Sequence, residues 1–291
     1  MVTLDRSRGY RIFRGVNALI LTGVVIVTLY PFVNIIARSL SDEDAIRSGQ
    51  VNLLPKGFTV ETYKYVASDP MFWTNYRNTV VYTVVATAIA MFMTTTYAYV
   101  LSKKHLKGRK FLIGIAVFTM FFSGGLIPNY VLISSLGMKD TIWAIVLPNA
   151  ISVFNLLVMK TFFENLPREL EEAAEIDGLN TYGILLRIVL PLSKAVLATM
   201  VLFYAVAFWN SWFPAFLYMS KSELFPVTVY LRNLIAGATT GTSVGADATD
   251  LTVAANIKSV TMVLTVVPIL MVYPFVQRYF VSGVMLGAVK G

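Results

Sequence analysis

Acidic side chains are concentrated in one short segment, residues 167–191, which separates long apolar stretches. Five acids occupy its first eleven residues: Glu169, Glu171, Glu172, Glu175 and Asp177. Carboxylates at this density could serve a membrane-embedded transferase that holds a metal-bound substrate, or they could form a surface that binds a soluble partner. Both alternatives place this acidic segment at the membrane surface, because so many charges cannot lie in hydrocarbon.

The local pattern of the acidic segment predicts two helices joined by a turn. Pro167 suits the first turn of a helix, and the acids follow it where the helix dipole favours negative charge. Gly178 is predicted to end this helix with a positive φ. Asn180 or Thr181 can cap a second helix, which Pro191 is expected to end.

Composition predicts that the rest of the chain lies in a lipid bilayer. Of the 291 residues, 56% are hydrophobic and 14% are charged, whereas about a quarter are charged in a soluble domain. The predicted spans, each about long enough to cross the apolar core, are residues 16–37, 78–101, 111–134, 141–163, 192–219 and 256–280. A hairpin, 165–191, and a tail, 281–291, complete the expected fold, a single all-α integral membrane domain (1–291) with six transmembrane helices.

Two of the predicted spans contain helix-breaking residues. The third is interrupted at residues 123–125 and again at Pro128, which indicates either a broken helix that lines a transport path or a packing kink. The sixth contains Pro268 and Pro274.

The basic residues predict the orientation of the spans. The N-terminus and the loop 102–110 carry nine Lys or Arg between them, whereas the short turn 136–140 carries Lys139 alone. The positive-inside rule therefore places both termini, the loop 102–110 and the acidic segment in the cytoplasm. The loops 38–73 and 220–254 are predicted to face outward. The net charge of +8 is explained by this asymmetry, and nucleic acid is not expected as a partner.

The sequence offers no internal source of energy for transport. No Asp or Glu lies in the central part of a predicted span, although ion-coupled secondary transporters usually hold ionisable groups there. The chain also has no GxxxxGK[ST] sequence to hold ATP phosphates. A pump of this kind must obtain energy through a contact surface, and the acidic segment is the large candidate. A passive channel would leave that segment without a role.

Within the acidic segment the sequence resembles the EAA loop of ATP-binding-cassette importer permeases. The matching residues are Glu172, Ala173, Ala174, Asp177, Gly178, Leu190 and Pro191. The family usually has a small residue after Asp-Gly, whereas this chain has Leu179. The C-terminal part of the chain has a second set of recognisable residues: Tyr273, Pro274, Phe275, Gln277, Arg278, Tyr279 and Phe280, then Gly283, Val284, Leu286, Gly287, Val289, Lys290 and Gly291. This pattern is similar to the end of maltose-type sugar permeases, and closer to a branch associated with complex and acidic oligosaccharides such as alginate and aldouronates.

The resemblance implies a type I importer architecture in which the hairpin docks on a cytoplasmic ATPase. Ala173 and Ala174 would let the ATPase approach the helix backbone, and Glu172 would pair with a basic residue there. The tail, with Gly287, Lys290 and Gly291, would reach between two ATPase subunits.

The same resemblance implies the partners and the location of the chain. The expected partners are a second, homologous permease, two ATPase subunits and an extracytoplasmic solute-binding protein that meets the outward loops. The chain itself is expected to be a transport subunit rather than an enzyme, in a bacterial cytoplasmic (inner) membrane. It would bind no cofactor or metal, because ATP and Mg²⁺ belong to the partner ATPase.

Polar and aromatic residues inside the spans are the candidates for a substrate pathway. They are Asn149, Asn155, Tyr204, Trp209, Asn210 and Trp212. Aromatic rings stack on sugars and amides bind hydroxyl groups, but Trp also marks membrane interfaces and amides also join helices. The alternatives that stay open are a secondary transporter and a permease for a solute other than sugar.

Overall fold

The computed structural model describes residues 8–240 and 256–271, and within these ranges all regular structure is helical. The described residues divide into two compact units, 8–69 with 231–240 and 256–266, and 70–230 with 267–271.

The first unit contains one long apolar helix. Its N-terminal helices are α1 (Arg8–Ser39), α2 (Glu43–Arg47) and α3 (Glu61–Ser68). The apolar side chains of α1 are exposed over most of its length, as expected for a helix in lipid. Near its end, Ala37 packs with Ile46 of α2 in a small buried cluster. Asp42 caps α2 by accepting a hydrogen bond from the Ala45 N–H at 2.8 Å.

The second unit is built around α4 (Pro70–Ser102). The helices that follow it are α5 (Arg109–Phe121), α6 (Leu126–Ser135), α7 (Trp143–Val146), α8 (Val153–Glu164), α9 (Arg168–Ile176), α10 (Thr181–Ile184), α11 (Leu190–Leu192), α12 (Lys194–Trp209) and α13 (Phe213–Tyr218). The chain continues in α14 (Val227–Thr240), which crosses into the first unit, and α15 (Asn256–Met271). The helices α8 and α12 pack against α4, where the buried Ala86, Ala90 and Ala98 allow close approach of the backbones.

Two of the predicted spans, 111–134 and 141–163, are bent helix pairs rather than straight helices, and a third bend lies where the acidic segment meets the predicted fifth span. The angle between α5 and α6 is 113°. The segment Trp143–Asn149, which begins with α7, makes an angle of 50° with α8, and the segment Thr181–Leu192 makes an angle of 85° with α12. The break between α5 and α6 confirms the predicted interruption, and Gly125 takes a φ of +90° there. In the described part of the chain two helices are long and apolar enough to cross a membrane, or up to five if each bent pair is one span.

The predicted fifth span, 192–219, differs from the structure. Its helix α12 ends at Trp209, and α13 begins separately at Phe213. Pro214 lies in the first turn of α13, where its missing N–H is tolerated, but it could not continue α12 without breaking that helix.

Other boundaries also differ from those predicted. The first and second spans begin earlier, at Arg8 and Pro70, and the predicted loop 220–254 contains α14, whose Val227 and Val229 are fully buried. The predicted sixth span begins at Asn256, and its residues after Met271 lie outside the described ranges.

Candidate functional site

The acidic segment folds as a helix, a turn and a second helix. After α9, the Gly178 N–H donates to the Glu175 carbonyl and the Leu179 N–H donates to the Ala174 carbonyl, each at 3.0 Å. Gly178 has a φ of +82°, which confirms the predicted conformation of the turn. The Asn180 side chain accepts a hydrogen bond from the Gly183 N–H at 2.8 Å, so it is the cap of the second helix. Because Leu179 belongs to this closed turn, its bulk does not prevent the turn from forming.

The first helix of this hairpin has a buried face and an exposed face. Ala174 is 4% exposed and lies in the buried cluster that also holds Phe163 and Ile184. Its side chain therefore packs against the transmembrane body, and the expectation that both alanines face a partner fails for Ala174. Glu172 and Ala173 are exposed.

The tip of the hairpin exposes two large apolar side chains. Ile176 is 87% exposed and Tyr182 is 77% exposed, on either side of the turn that Gly178 forms. Exposed Asp177 and Glu175 lie beside them. Apolar side chains rimmed by charge are typical of a surface that binds another protein. The sequence already places these residues near the turn, but it does not show which of them are exposed.

The second helix of the hairpin continues into the body of the protein. The Leu190 N–H donates to the Leu185 carbonyl, five residues back, so one wide turn precedes Pro191. Proline has no N–H and leaves a carbonyl in the previous turn without its usual donor, which favours such a wide turn. The helix ends at Leu192 rather than at Pro191, and the chain then bends by 85° into α12. Leu190 is half-buried and Pro191 is exposed.

The basic loop 102–110 is joined to this hairpin and to α8 by ion pairs. Lys103 pairs with Glu171 of α9, and Arg109 pairs with Glu164 at the end of α8. Lys160 also pairs with Glu164, at 2.8 Å. A groove of about 220 Å³ lies between the loop and α9. Sequence reasoning assigned Lys103 and Arg109 only to membrane orientation and missed their pairs, because the acidic partners are 68 and 55 residues away in the chain.

Three of the predicted pathway residues meet in one cavity. Asn149, Asn155 and Tyr204 line a cavity of about 410 Å³ together with Phe208 and Ser211. Asn155 and Tyr204 are 5% and 3% exposed. The cavity presents amides, a hydroxyl group and aromatic rings, which suits a ligand that has both polar groups and apolar faces.

The hydroxyl group of Tyr204 is held in place from two sides. It accepts a hydrogen bond from the Ser152 N–H at 2.9 Å and lies 2.6 Å from the Thr94 hydroxyl oxygen. The Tyr204 ring also stacks on Phe208 with 6.2 Å between centroids. The aromatic wall of the cavity therefore has a fixed orientation.

The other three predicted pathway residues lie elsewhere. Trp209 is 8% exposed and packs edge-on against Tyr76 with 5.9 Å between ring centroids. Trp212 packs against Phe213 at 5.4 Å. Asn210 is exposed, and its amide donates to the Val206 carbonyl at 2.9 Å. Trp209 ends α12, and Asn210 and Trp212 lie in the break before α13.

The predicted tail residues Gly287, Lys290 and Gly291 lie outside the described residues, as does the whole tail 281–291.

Comparison with known proteins finds one family model that matches most of the chain and relatives that cover nearly all of it. Residues 70–285 match the family described as binding-protein-dependent transport system inner membrane component. Protein LplC of Bacillus subtilis is 44% identical over 99% of this chain and 98% of its own length. The polygalacturonan/rhamnogalacturonan transport system permease protein YtcP of the same organism is 40% identical over 91% of this chain and 94% of its own.

A solved structure is similar over nearly the whole chain. It is a chain from a bacterial ABC transporter involved in the import of the acidic polysaccharide alginate. The TM-score is 0.86 with 34% sequence identity, over 96% of this chain and 100% of that chain.

Proposed function

This chain belongs to the binding-protein-dependent transport system inner membrane components, and we propose that it forms half of the translocation pathway of an ATP-driven oligosaccharide importer. It is an integral membrane transport subunit. In this proposal a separate ATPase binds ATP and Mg²⁺ and moves the chain by pushing on its cytoplasmic hairpin.

The observation that carries the proposal is the exposed tip of the hairpin. Burying a large apolar side chain is worth about 1.5–3 kcal/mol, and Ile176 is 87% exposed with Tyr182 close to it in the chain. The helix that follows the turn runs on through Pro191 to the bend before α12. A push at the tip would therefore act on α12, which carries Tyr204 on the cavity wall.

The cavity and the relatives support an oligosaccharide as the substrate. Asn149 and Asn155 can exchange hydrogen bonds with sugar hydroxyl groups, and the rings of Tyr204 and Phe208 offer faces for the apolar side of a pyranose. Two of the similar proteins are named for polygalacturonan/rhamnogalacturonan transport and for alginate import. We infer that the substrate is an oligosaccharide derived from an acidic polysaccharide.

The proposed assembly contains this chain, a second homologous permease, two ATPase subunits and an extracytoplasmic solute-binding protein. The chain would lie in the bacterial inner membrane with both termini in the cytoplasm. The loops 38–73 and 220–254 would then face outward and meet the solute-binding protein. In the tail, Gly287, Lys290 and Gly291 are proposed to lie at the ATPase interface.

Co-purification in mild detergent tests the ATPase contact. Ile176→Lys places a charge on the exposed tip, and Leu54→Lys makes the same change at a side chain that is 78% exposed in a predicted outward loop. We expect the wild type and Leu54→Lys to retain an ATPase and a second permease, and Ile176→Lys to lose the ATPase alone. Oligogalacturonate and oligoalginate are then tested for stimulation of ATP hydrolysis. A wild type that purifies alone and transports solute without ATP would refute the proposal.

A further inference from the structure

The cytoplasmic hairpin is attached to the body of the protein by more than the peptide chain. We propose that Lys103 and Arg109 are positioning residues that clamp α8 and α9 to the end of α4 and the start of α5. Through this clamp, motion of the hairpin would reach α4 and α5 as well as α12. The inference rests on the proposed coupling to an ATPase.

Lys103 makes the connection between α4 and α9. It follows the last residue of α4, and its ammonium group pairs with Glu171 and lies 4.2 Å from the centre of the Tyr99 ring. Tyr99 is 3% exposed and packs edge-on against Phe163 of α8. The cation therefore lies over a buried aromatic ring of α4, and that ring is itself packed against α8.

Arg109 makes the connection between α5 and α8. It is the first residue of α5, and its guanidinium group pairs with Glu164 while its Nε donates to the Leu101 carbonyl at 2.7 Å. That carbonyl lies in the last turn of α4, where helix geometry leaves it without an intrahelical donor. The second carboxylate oxygen of Glu164 accepts from Lys160 at 2.8 Å. One arginine thus joins α4, α5 and α8.

The two ion pairs are shielded from water enough to hold their side chains in a fixed geometry. The side chains of Lys103 and Glu171 are 20% and 22% exposed, and those of Arg109 and Glu164 are 22% and 17% exposed. Fully exposed ion pairs contribute little because water and salt screen them. Pairs that are mostly withdrawn from water interact more strongly, and removal of one partner leaves the other charge uncompensated.

The proposed clamp gives Lys103 a role that Lys107 does not have, although the positive-inside rule treats the two lysines as equal. Lys103 and Lys107 count alike toward a cytoplasmic location. Lys107 is exposed, and within the described residues no ion pair is found for it. A charge change at Lys107 alters the loop charge to the same extent as a change at Lys103 and leaves the clamp intact.

Charge exchange in the reconstituted importer tests the proposal. The variants are Lys103→Glu, the double variant Lys103→Glu/Glu171→Lys, and Lys107→Glu as the matched control. We expect Lys103→Glu to retain the ATPase on purification but to lower solute uptake per ATP hydrolysed by about tenfold, within the range of coupling between contacting residues. The double variant should recover most of this loss, and the control should match the wild type.

Three results would overturn the clamp: a failure of the double variant to recover, an equal loss in Lys107→Glu, or loss of the ATPase itself from Lys103→Glu. The last would make Lys103 a partner contact.

The chain has no cysteine, so a spin label at Glu169→Cys reports on α9 whether or not an ATPase binds. If the wild type has no ATPase, the proposed function fails. Label mobility that rises in Lys103→Glu and falls again in the double variant would still support the clamp, and unchanged mobility would refute it.

Discussion

Replacing Gly178 by alanine changes the backbone of the hairpin turn and little else. Gly178 has a φ of +82°, and a Cβ built there meets no atom within 4 Å. The cost is therefore conformational rather than steric, about 1–2 kcal/mol for an L-residue in the left-handed region. Docking requires the native turn, and the alanine variant leaves this turn in the free permease, so binding must restore it at that cost. Since about 1.4 kcal/mol is a tenfold change in an equilibrium constant, Gly178→Ala should weaken ATPase binding by roughly tenfold. Gly178→Asn should weaken it less, because asparagine tolerates this region.

The measurement is a titration of the purified permease with the ATPase, followed by fluorescence anisotropy. Gly137→Ala is the matched control, since Gly137 has a φ of +67° and its Cβ would also meet nothing within 4 Å, but it lies in a predicted outward turn. Both variants should lose similar thermal stability, and only Gly178→Ala should lose affinity. Equal affinity of Gly178→Ala and wild type, or an asparagine variant weaker than the alanine variant, would refute the reasoning.

Four further substitutions test the site and the outward loop. Tyr204→Phe removes a hydrogen-bond partner of Thr94 in a buried position, so it should destabilise the protein by about 1–3 kcal/mol, measured by thermal unfolding in detergent. Ala174→Leu overpacks a position that is 4% exposed and should cost about 1–3 kcal/mol, whereas the exposed Ala173→Leu should keep stability and lower ATPase affinity. Burial raises the pKa of the Glu43 carboxyl, so the ionised form is disfavoured in the fold. Glu43→Gln should therefore raise the unfolding temperature at pH 7, and the gain should vanish as the pH falls and the wild-type carboxyl becomes protonated.

The sequence was sufficient for the parts of the site that depend on local chemistry. The positive φ of Gly178 and the cap by Asn180 follow from residue type and from neighbours within a few positions. The sequence did not show which face of α9 is buried. Ala173 and Ala174 are identical residues about 100° apart on one helix, and only packing against Phe163 decides that the second is buried.

Long-range pairing explains most of what the sequence could not show. Glu171 lies 68 residues from Lys103, and Glu164 lies 55 residues from Arg109. Many acids and bases could pair at such separations, and the packing of α4 against α8 selects among them. The fifth span was predicted too long for a different reason: hydropathy measures how apolar a stretch is, and the sequence is apolar in both α12 and α13, on either side of the break before Pro214.

The hairpin combines an apolar tip with acidic flanks, and the effect of salt on affinity would distinguish which of them carries the proposed docking on an ATPase. Burial of Ile176 alone is worth about 1.5–3 kcal/mol, whereas an exposed ion pair formed by Glu172 or Asp177 is worth about 0–1 kcal/mol. Raising the ionic strength shortens the Debye length from about 8 Å to about 3 Å at 1 M and leaves apolar burial intact. We therefore expect ATPase affinity at 1 M NaCl to stay within a few-fold of its value at 0.15 M. A loss of a hundredfold would show that the acids carry the contact, and Ile176→Lys would then weaken binding less than Glu172→Lys.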